Sequence, residues 1–261
     1  MEAHLLLMTL DDPAPSCATP VLVLWDLATL LYPTDEIDRR LHRDAAEQVL
    51  GRPCTPAPPA TDLTDPELAR RTLLRQGLSA TQAGALLPAV LGRLAVCHRS
   101  RGLAPAQCRA RPDTVAALRM ATGATGAVHT VLTGTIRPNA LLRLRASGLT
   151  GLVDTGAGAY GSDDCRWERL VSIAGRRAWA RDGREPPMVV VTSRPRVAEQ
   201  ARTAGAKVIQ IAGDGRHGQH GQRAGYRGLT LPDLRTAAEV LVELPMDEWS
   251  RNLVPPRSNA G

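Results

Sequence analysis

The apolar segment Val21–Trp25, sequence VLVLW, and the carboxylate that follows it, Asp26, constrain the fold more than any other part of the chain. Five apolar residues without polar alternation predict a strand buried on both faces, as in the parallel sheet of an α/β protein. An aspartate at the carboxyl end of such a strand lies where open α/β sheets bind ligands. A carboxylate there can attack phosphorus or carbon and form a covalent intermediate. The alternative is that Asp26 only caps the turn that follows the strand.

The rest of the chain alternates between strand and helix patterns after a long helical stretch. Apolar runs predict strands at 127–132, 152–155, 188–191 and 207–212, each preceded by a helix, and a last strand and helix within 229–244. This alternation predicts an α/β fold with a doubly wound, mostly parallel sheet. Between the first two strands only helical patterns occur, at 35–50, 65–76 and 80–96. We therefore predict a core of residues 21–33 and 105–245, a helical insert at 34–104, a flexible leader at 1–20 and a tail at 246–261.

Three later segments follow the first strand in an order that is itself informative. The segment 127–137, AVHTVLTGTIR, has Thr133 at a strand end; 158–170 reads GAYGSDDCRWERL; and 188–205 reads MVVVTSRPRVAEQARTAG. Together with Asp26 they resemble the four motifs of the haloacid dehalogenase-like (HAD-like) superfamily, which comprises aspartate-nucleophile hydrolases that are mostly phosphatases. The resemblance spans roughly residues 20–245. It implies a small α-helical cap over the site, formed here by residues 34–104.

The resemblance also implies roles for individual residues. Asp26 would be the nucleophile, Thr133 the ligand of a phosphate oxygen, and Arg166 or Arg169 the group that stabilises the charge. Further substrate contacts would come from Gly134, Thr192 and Ser193. The implied substrate is a small phosphorylated metabolite. Thr133 and Gly134, in the loop after the second predicted strand, would then bind an anion at the N-terminus of the next helix. The alternative is that this loop is only a strand-to-helix turn.

The chain departs from the family pattern where acids are expected. Ala28 stands where the family has a second aspartate that protonates the leaving group, and Ser193 and Val197 stand where carboxylates would hold Mg²⁺. Because Mg²⁺ requires hard oxygen ligands in octahedral geometry, Asp26 alone is a poor magnesium site. Asp163 and Asp164 are candidate replacement ligands, although capping of the next helix explains them better.

These departures leave three functions open. The first is a HAD-like phosphatase with an eroded site. The second is a catalytically inactive HAD-fold protein that binds a ligand or a protein partner. The third is metal-independent chemistry of the dehalogenase type, for which Thr192 and Ser193 provide a weak resemblance.

Composition restricts the partners and the compartment. The chain has a net charge of +6, but its arginines form no basic run and no nucleic-acid motif occurs, so we expect no nucleic-acid function. Five cysteines without CxxC spacing predict reduced thiols in a cytoplasmic protein. We find no apolar run of about 18 residues and expect no membrane span. The loop containing His217 and His220 has no metal-ligand spacing.

Overall fold

The computed structural model describes residues 20–59, 62–100, 108–123, 127–212 and 229–243. Its strands are β1 (Val21–Asp26), β2 (Ala127–Leu132), β3 (Asp154–Ala159), β4 (Met188–Thr192), β5 (Lys207–Ile211) and β6 (Leu229–Leu231). Its helices are α1 (Leu27–Leu30), α2 (Asp35–Leu50), α3 (Asp65–Arg75), α4 (Ala80–Ser100), α5 (Thr114–Gly123), α6 (Arg137–Ala146), α7 (Trp167–Asp182), α8 (Pro195–Thr203) and α9 (Leu234–Glu243). Most of the predicted leader and tail, the end of the insert and the His217–His220 loop lie outside these residues.

The strands form one parallel sheet in the order β3-β2-β1-β4-β5-β6. The strand order reverses at β1, because the chain moves to β2 and β3 on one side and to β4, β5 and β6 on the other. All six residues of β1 are buried, which explains its continuous apolar run. The predicted α/β fold with a doubly wound sheet is confirmed.

Helices cover both faces of the sheet, and the side chains of β1 alternate between the two apolar cores. Val21, Val23 and Trp25 pack with residues of α5, α6 and α9 on one face. Leu22 and Leu24 pack with residues of α7 and α8 on the other. With both faces apolar and covered, the polar chemistry of the core is confined to the strand ends.

The helical insert, α2 to α4, has an apolar cluster of its own. Leu41, Leu73, Val90 and Leu94 are buried in it, together with Ile136, which precedes α6 of the core. The N-terminus of α3 lies against the loop that follows β2, since the Asp65 amide donates to the Gly134 carbonyl over 2.8 Å. The insert therefore contacts the carboxyl edge of the sheet.

Two predicted boundaries were wrong. The third strand was predicted at 152–155 but extends over Asp154–Ala159. Its two glycines lower strand propensity, yet a Cβ at Gly158 would lie 3.0 Å from Val131, so the neighbouring strand leaves little room for a side chain there. Helix α4 continues to Ser100 instead of ending at Val96, with Pro88 inside it.

One described helix is long and apolar enough to cross a membrane by length and composition alone, namely α4. This finding differs from the expectation that no such segment exists. It is weak evidence by itself, because the core helix of a globular domain passes the same test. Val90, Leu94 and Cys97 of α4 are buried in the insert.

Candidate active site

Asp26 ends β1 and is fully buried. It pairs in register with Leu132, so Thr133 follows on the neighbouring strand at the same edge of the sheet. Asp26 is also the N-cap of α1, and its Oδ1 accepts from the Ala28 amide over 3.2 Å. The capping alternative and the strand-end position thus hold together: a buried carboxylate stands at the reversal point of the sheet and begins the next helix.

Arg194 forms a two-point ion pair with Asp26. Its Nη2 lies 2.6 Å from Oδ1 and its Nε lies 2.8 Å from Oδ2. Arg194 follows the end of β4 and is the N-cap residue of α8, and its side chain is 19% exposed. Burial opposes the charge of the guanidinium, but the charge and hydrogen bond of Asp26, together with the charges of Asp62 and Asp35, raise the pKa of Arg194. Such bidentate pairs are among the strongest charge-assisted hydrogen bonds.

Hydroxyl groups complete the surroundings of Asp26. Thr192 Oγ1 donates to Oδ2 over 2.7 Å, and Thr29 Oγ1 donates to the same oxygen over 3.3 Å. Ser193 reaches Asp26 only through Thr29, since its amide donates to the Thr29 hydroxyl over 2.8 Å. Every oxygen of the carboxylate therefore accepts at least two hydrogen bonds within the chain.

An indole ring fixes the other side of the Arg194 guanidinium. The guanidinium carbon lies 4.5 Å from the centre of the Trp167 ring, which is a favourable cation–π distance. Trp167 Nε1 donates to the Asp62 carbonyl of the insert over 3.0 Å. The Asp62 carboxylate lies 3.9 Å from Arg194, and burial raises its pKa although Arg194 opposes the shift. Asp62 of the insert therefore fixes the Trp167 ring, and this ring packs against the Arg194 guanidinium.

The loop after β2 is closed by the insert. Thr133 is buried, and its hydroxyl accepts from the Thr135 amide over 3.1 Å. The Ile136 amide donates to Asp65 Oδ2 over 2.8 Å. A Cβ at Gly134 would lie 2.8 Å from the Thr64 Cα, so the two backbones touch. The predicted anion-binding loop is therefore filled by residues of the insert.

The two predicted arginines lie elsewhere. Arg166 precedes α7 and pairs with Asp164 over 3.3 Å at an exposed position, and Arg169 is exposed on α7. Asp164 accepts from the Arg166 amide over 2.9 Å, and Asp163 pairs with Arg177. The interpretation of this pair as the N-cap of α7 was wrong, because the N-cap residue is Arg166 and it forms no side-chain capping bond. The roles predicted for Arg166 and Arg169 stay predictions, but the cation in contact with Asp26 is Arg194.

The residues present do not fit a magnesium ion. Both oxygens of Asp26 are engaged by the Arg194 guanidinium, and Ala28 is exposed where a second acid would be needed. Val197, at the other expected acidic position, is packed in the core. Among the described residues no group of three or more His, Cys, Asp or Glu side chains is arranged to hold a metal. The Arg194 guanidinium already supplies positive charge beside Asp26. The chain itself therefore neutralises the carboxylate that a metal cation would otherwise neutralise.

Arg194 is the functional-site residue that sequence reasoning missed. It directly follows Thr192 and Ser193, which were singled out, and it precedes Pro195 at a helix start. The feature that could have identified it is its position two residues after β4, the strand that pairs with β1 and ends next to Asp26. Its distance of 168 positions from Asp26 concealed the pairing until the order of the strands was known.

Comparison with known proteins supports the same architecture. No family model matches the sequence, and no curated protein matches it. Among solved structures, a HAD hydrolase of family IA, variant 3, from Entamoeba histolytica is similar with a TM-score of 0.57 and 14% identity, covering 88% of this chain and 97% of that one. CbbY from Rhodobacter sphaeroides, solved in complex with phosphate, is similar with a TM-score of 0.56 and 18% identity, covering 86% of this chain and all of the other. This chain has the fold of the HAD-like hydrolases.

Proposed function

We propose that this protein is a catalytically inactive HAD-fold protein that binds a small phosphorylated metabolite without hydrolysing it in a magnesium-dependent way. The observation that carries the proposal is the buried ion pair between Asp26 and Arg194. A carboxylate that attacks phosphorus needs a free, exposed oxygen. Asp26 is 0% exposed and both of its oxygens are hydrogen-bonded within the chain.

The loss of a proton donor supports the same conclusion. Ala28 has no group that protonates a leaving alkoxide, and the loss of a general acid or base costs about 10²–10⁴-fold in rate. With no carboxylates at positions 28, 193 and 197, charge neutralisation by a metal is lost as well. The strand-end position of Thr133 and the helix N-terminus that follows it support binding of a phosphorylated ligand, which would have to displace the insert residues that fill this loop.

The test is a phosphatase screen with and without Mg²⁺, using p-nitrophenyl phosphate and a panel of sugar phosphates. Wild type, Asp26→Asn and the control Asp182→Asn, at an exposed position on α7, are compared. We expect all three proteins to show background rates under both conditions. Magnesium-dependent turnover that Asp26→Asn abolishes and Asp182→Asn leaves intact would contradict the proposal. Thermal shifts with the same panel measure binding separately.

A second candidate is metal-independent hydrolysis through Asp26, of the phosphatase or dehalogenase kind. It is favoured by the Arg194 guanidinium, which is placed to neutralise an anionic substrate if that substrate takes its contacts over from Asp26. The test is intact-mass analysis after incubation with a 2-halo acid or an activated aryl phosphate in the presence of EDTA. A covalent adduct on wild type that is missing from Asp26→Asn would favour this candidate over the first.

A further inference from the structure

The imidazole of His42, on α2 of the insert, is buried with one ring nitrogen bonded and the other without a partner. Its Nδ1 lies 2.8 Å from the carbonyl oxygen of Asp38 in the same helix. A carbonyl oxygen only accepts hydrogen bonds, so Nδ1 carries a proton and donates it. Nε2 forms no hydrogen bond with the described residues. The ring is therefore either neutral, with a lone pair on Nε2, or a cation with a second N–H group there.

The carboxyl group of Asp65, on α3, faces this nitrogen. Its Oδ1 lies 3.5 Å from His42 Nε2, and the side chains of His42 and Asp65 are only 1% and 13% exposed. If Asp65 is ionised while His42 is neutral, two lone pairs face each other away from water and neither is satisfied. One proton removes this conflict on either atom, because each placement sets one donor opposite one acceptor. The buried contact is therefore stable only with a proton between the two groups.

Asp65 also joins the insert to the core. Its Oδ2 accepts from the Ile136 amide over 2.8 Å, and its own amide donates to the Gly134 carbonyl over 2.8 Å. Ile136 and Gly134 belong to the loop between β2 and α6, at the carboxyl edge of the sheet. The protonated contact with His42 therefore links α2 to α3 at the point where the insert meets the core.

The other titratable groups around this pair are balanced without it. Arg143 of α6 forms an ion pair with Asp38 of α2. Burial opposes the charge of Asp38, but the groups around it, with Arg143 foremost, lower its pKa. Burial lowers the pKa of His98, on α4, to about 3, and burial raises the pKa of the Cys108 thiol, so both are neutral near pH 7. None of these four groups supplies the missing proton.

The pKa of Asp65 shifts in the direction that this contact requires. Burial, together with the negative charge of Asp38, raises the pKa of the Asp65 carboxyl, although His42 opposes the shift. The folded chain therefore keeps a proton here that the unfolded chain releases at a lower pH. Its contribution to stability is complete below the pKa of an unfolded aspartate, about 4, and is lost as the pH rises through the raised pKa.

We propose that His42 and Asp65 share one proton that locks the helical insert onto the carboxyl edge of the sheet, and that loss of this proton releases the insert from the loop of residues 133–136. Opening of the insert is then controlled by pH. This inference goes beyond the proposed function, because it concerns the contact between insert and core. It holds whether or not a phosphorylated ligand binds and whether or not Asp26 reacts.

The experiment follows hydrogen exchange of the Ile136 amide in the full chain between about pH 5 and pH 9, a range that covers the raised pKa values of buried carboxyl groups. The protection factor corrects for the intrinsic pH dependence of exchange and reports how often the insert leaves this amide. In wild type we expect it to fall at least about ten-fold as the proton is lost, since one pKa unit corresponds to a factor of ten. Asp65→Asn sets an amide N–H opposite His42 Nε2 and keeps an oxygen for the Ile136 amide, so its protection should not change with pH.

Two further variants separate the proton from a merely structural role. His42→Gln supplies an N–H group opposite Asp65 Oδ1 at every pH, so the pH dependence should disappear here as well. Glu67→Gln is the matched control, because Glu67 lies in the same first turn of α3 and pairs with Arg71 instead; it should keep the pH dependence of wild type.

Three results would overturn the inference: constant protection in wild type, the same pH dependence in Asp65→Asn as in wild type, or its loss in Glu67→Gln. If the variants of the pair do not fold, the ¹⁵N chemical shift of His42 Nε2 in wild type decides. It should titrate together with the protection factor of the Ile136 amide. A shift that stays constant, or that titrates at a different pH, would exclude a shared proton as the lock.

Discussion

Replacement of Arg194 by methionine is the sharpest test of the buried ion pair. Methionine keeps much of the length and apolar volume of the side chain but removes the charge. Asp26, 0% exposed, would then be a buried carboxylate with no cation in contact. The contact with Trp167, where the guanidinium carbon lies 4.5 Å from the ring centre, would lose its cation–π component.

The expected cost follows from these contacts. Removal of one partner of a buried ion pair costs about 3–5 kcal/mol, because the other charge remains without compensation. Asp26 would keep its hydrogen bonds from Thr192 and Ala28, which places the expected loss near the lower limit. The cation–π contribution adds about 1 kcal/mol. We therefore expect the free energy of unfolding to fall by about 4 kcal/mol.

The assay is urea unfolding followed by circular dichroism, with a double-mutant cycle. An m-value of about 3 kcal/mol per molar urea lies at the upper end of the range for small proteins. With this value, the urea concentration at the unfolding midpoint should fall by more than about 1 M. The double variant Asp26→Asn with Arg194→Met removes both charges and should recover at least about 2 kcal/mol relative to Arg194→Met alone. The control Arg196→Met removes an arginine that is 40% exposed, and its cost should stay below about 1 kcal/mol.

A small effect would refute this reasoning. If Arg194→Met costs no more than Arg196→Met and the cycle gives no coupling, Arg194 does not hold Asp26 in solution. The carboxylate would then be available for chemistry, and the second candidate function would gain support.

Two further predictions concern packing and pH. Gly134→Ala should lower the free energy of unfolding by about 1–3 kcal/mol, because the new Cβ would lie within 2.9 Å of Thr64 and Trp167. Urea unfolding measures this loss. The control Gly92→Ala, at a position of α4 with open space around it, should not destabilise the protein. Burial lowers the pKa of His129 to about 4, so the unfolded chain binds more protons between pH 6.5 and 4 and stability should fall across that window by up to about 3 kcal/mol. His129→Gln should reduce this dependence without abolishing it, because burial also lowers the pKa of His98, to about 3; an unchanged pH profile would contradict the assignment.

The sheet was predictable from the sequence because its signal is local. A run such as Val21–Trp25 is apolar without alternation only when both faces of the strand are covered, and the structure buries all six residues of β1. Strand β3 was located less well, since Gly156 and Gly158 carry no side chains to indicate a strand. It pairs with β2, Thr130 with Asp154 and Leu132 with Ala159, and no local pattern reveals that pairing.

The site was less predictable because its decisive contacts join distant parts of the chain. A family motif directs attention to Asp26 and Thr133, but the partner of Asp26 depends on which side chain turns inward after β4. Arg194 and Arg166 are both arginines next to a helix start, and only the geometry separates the buried one from the exposed one. Likewise, nothing local marks Asp65 as more than the first residue of α3.

The ion pair between Asp26 and Arg194 explains how the fold is stable without carboxylates at positions 28, 193 and 197. A buried Asp26 without a cation would be strongly destabilising, so the chain needs either a metal or a fixed positive charge at this point. Arg194 supplies that charge permanently, and carboxylates at positions 28, 193 and 197 then have no ion to hold. Asp65 similarly satisfies the α6 N-terminus without a phosphate. Side chains of the protein itself therefore balance the charge at both places, at the end of β1 and at the N-terminus of α6.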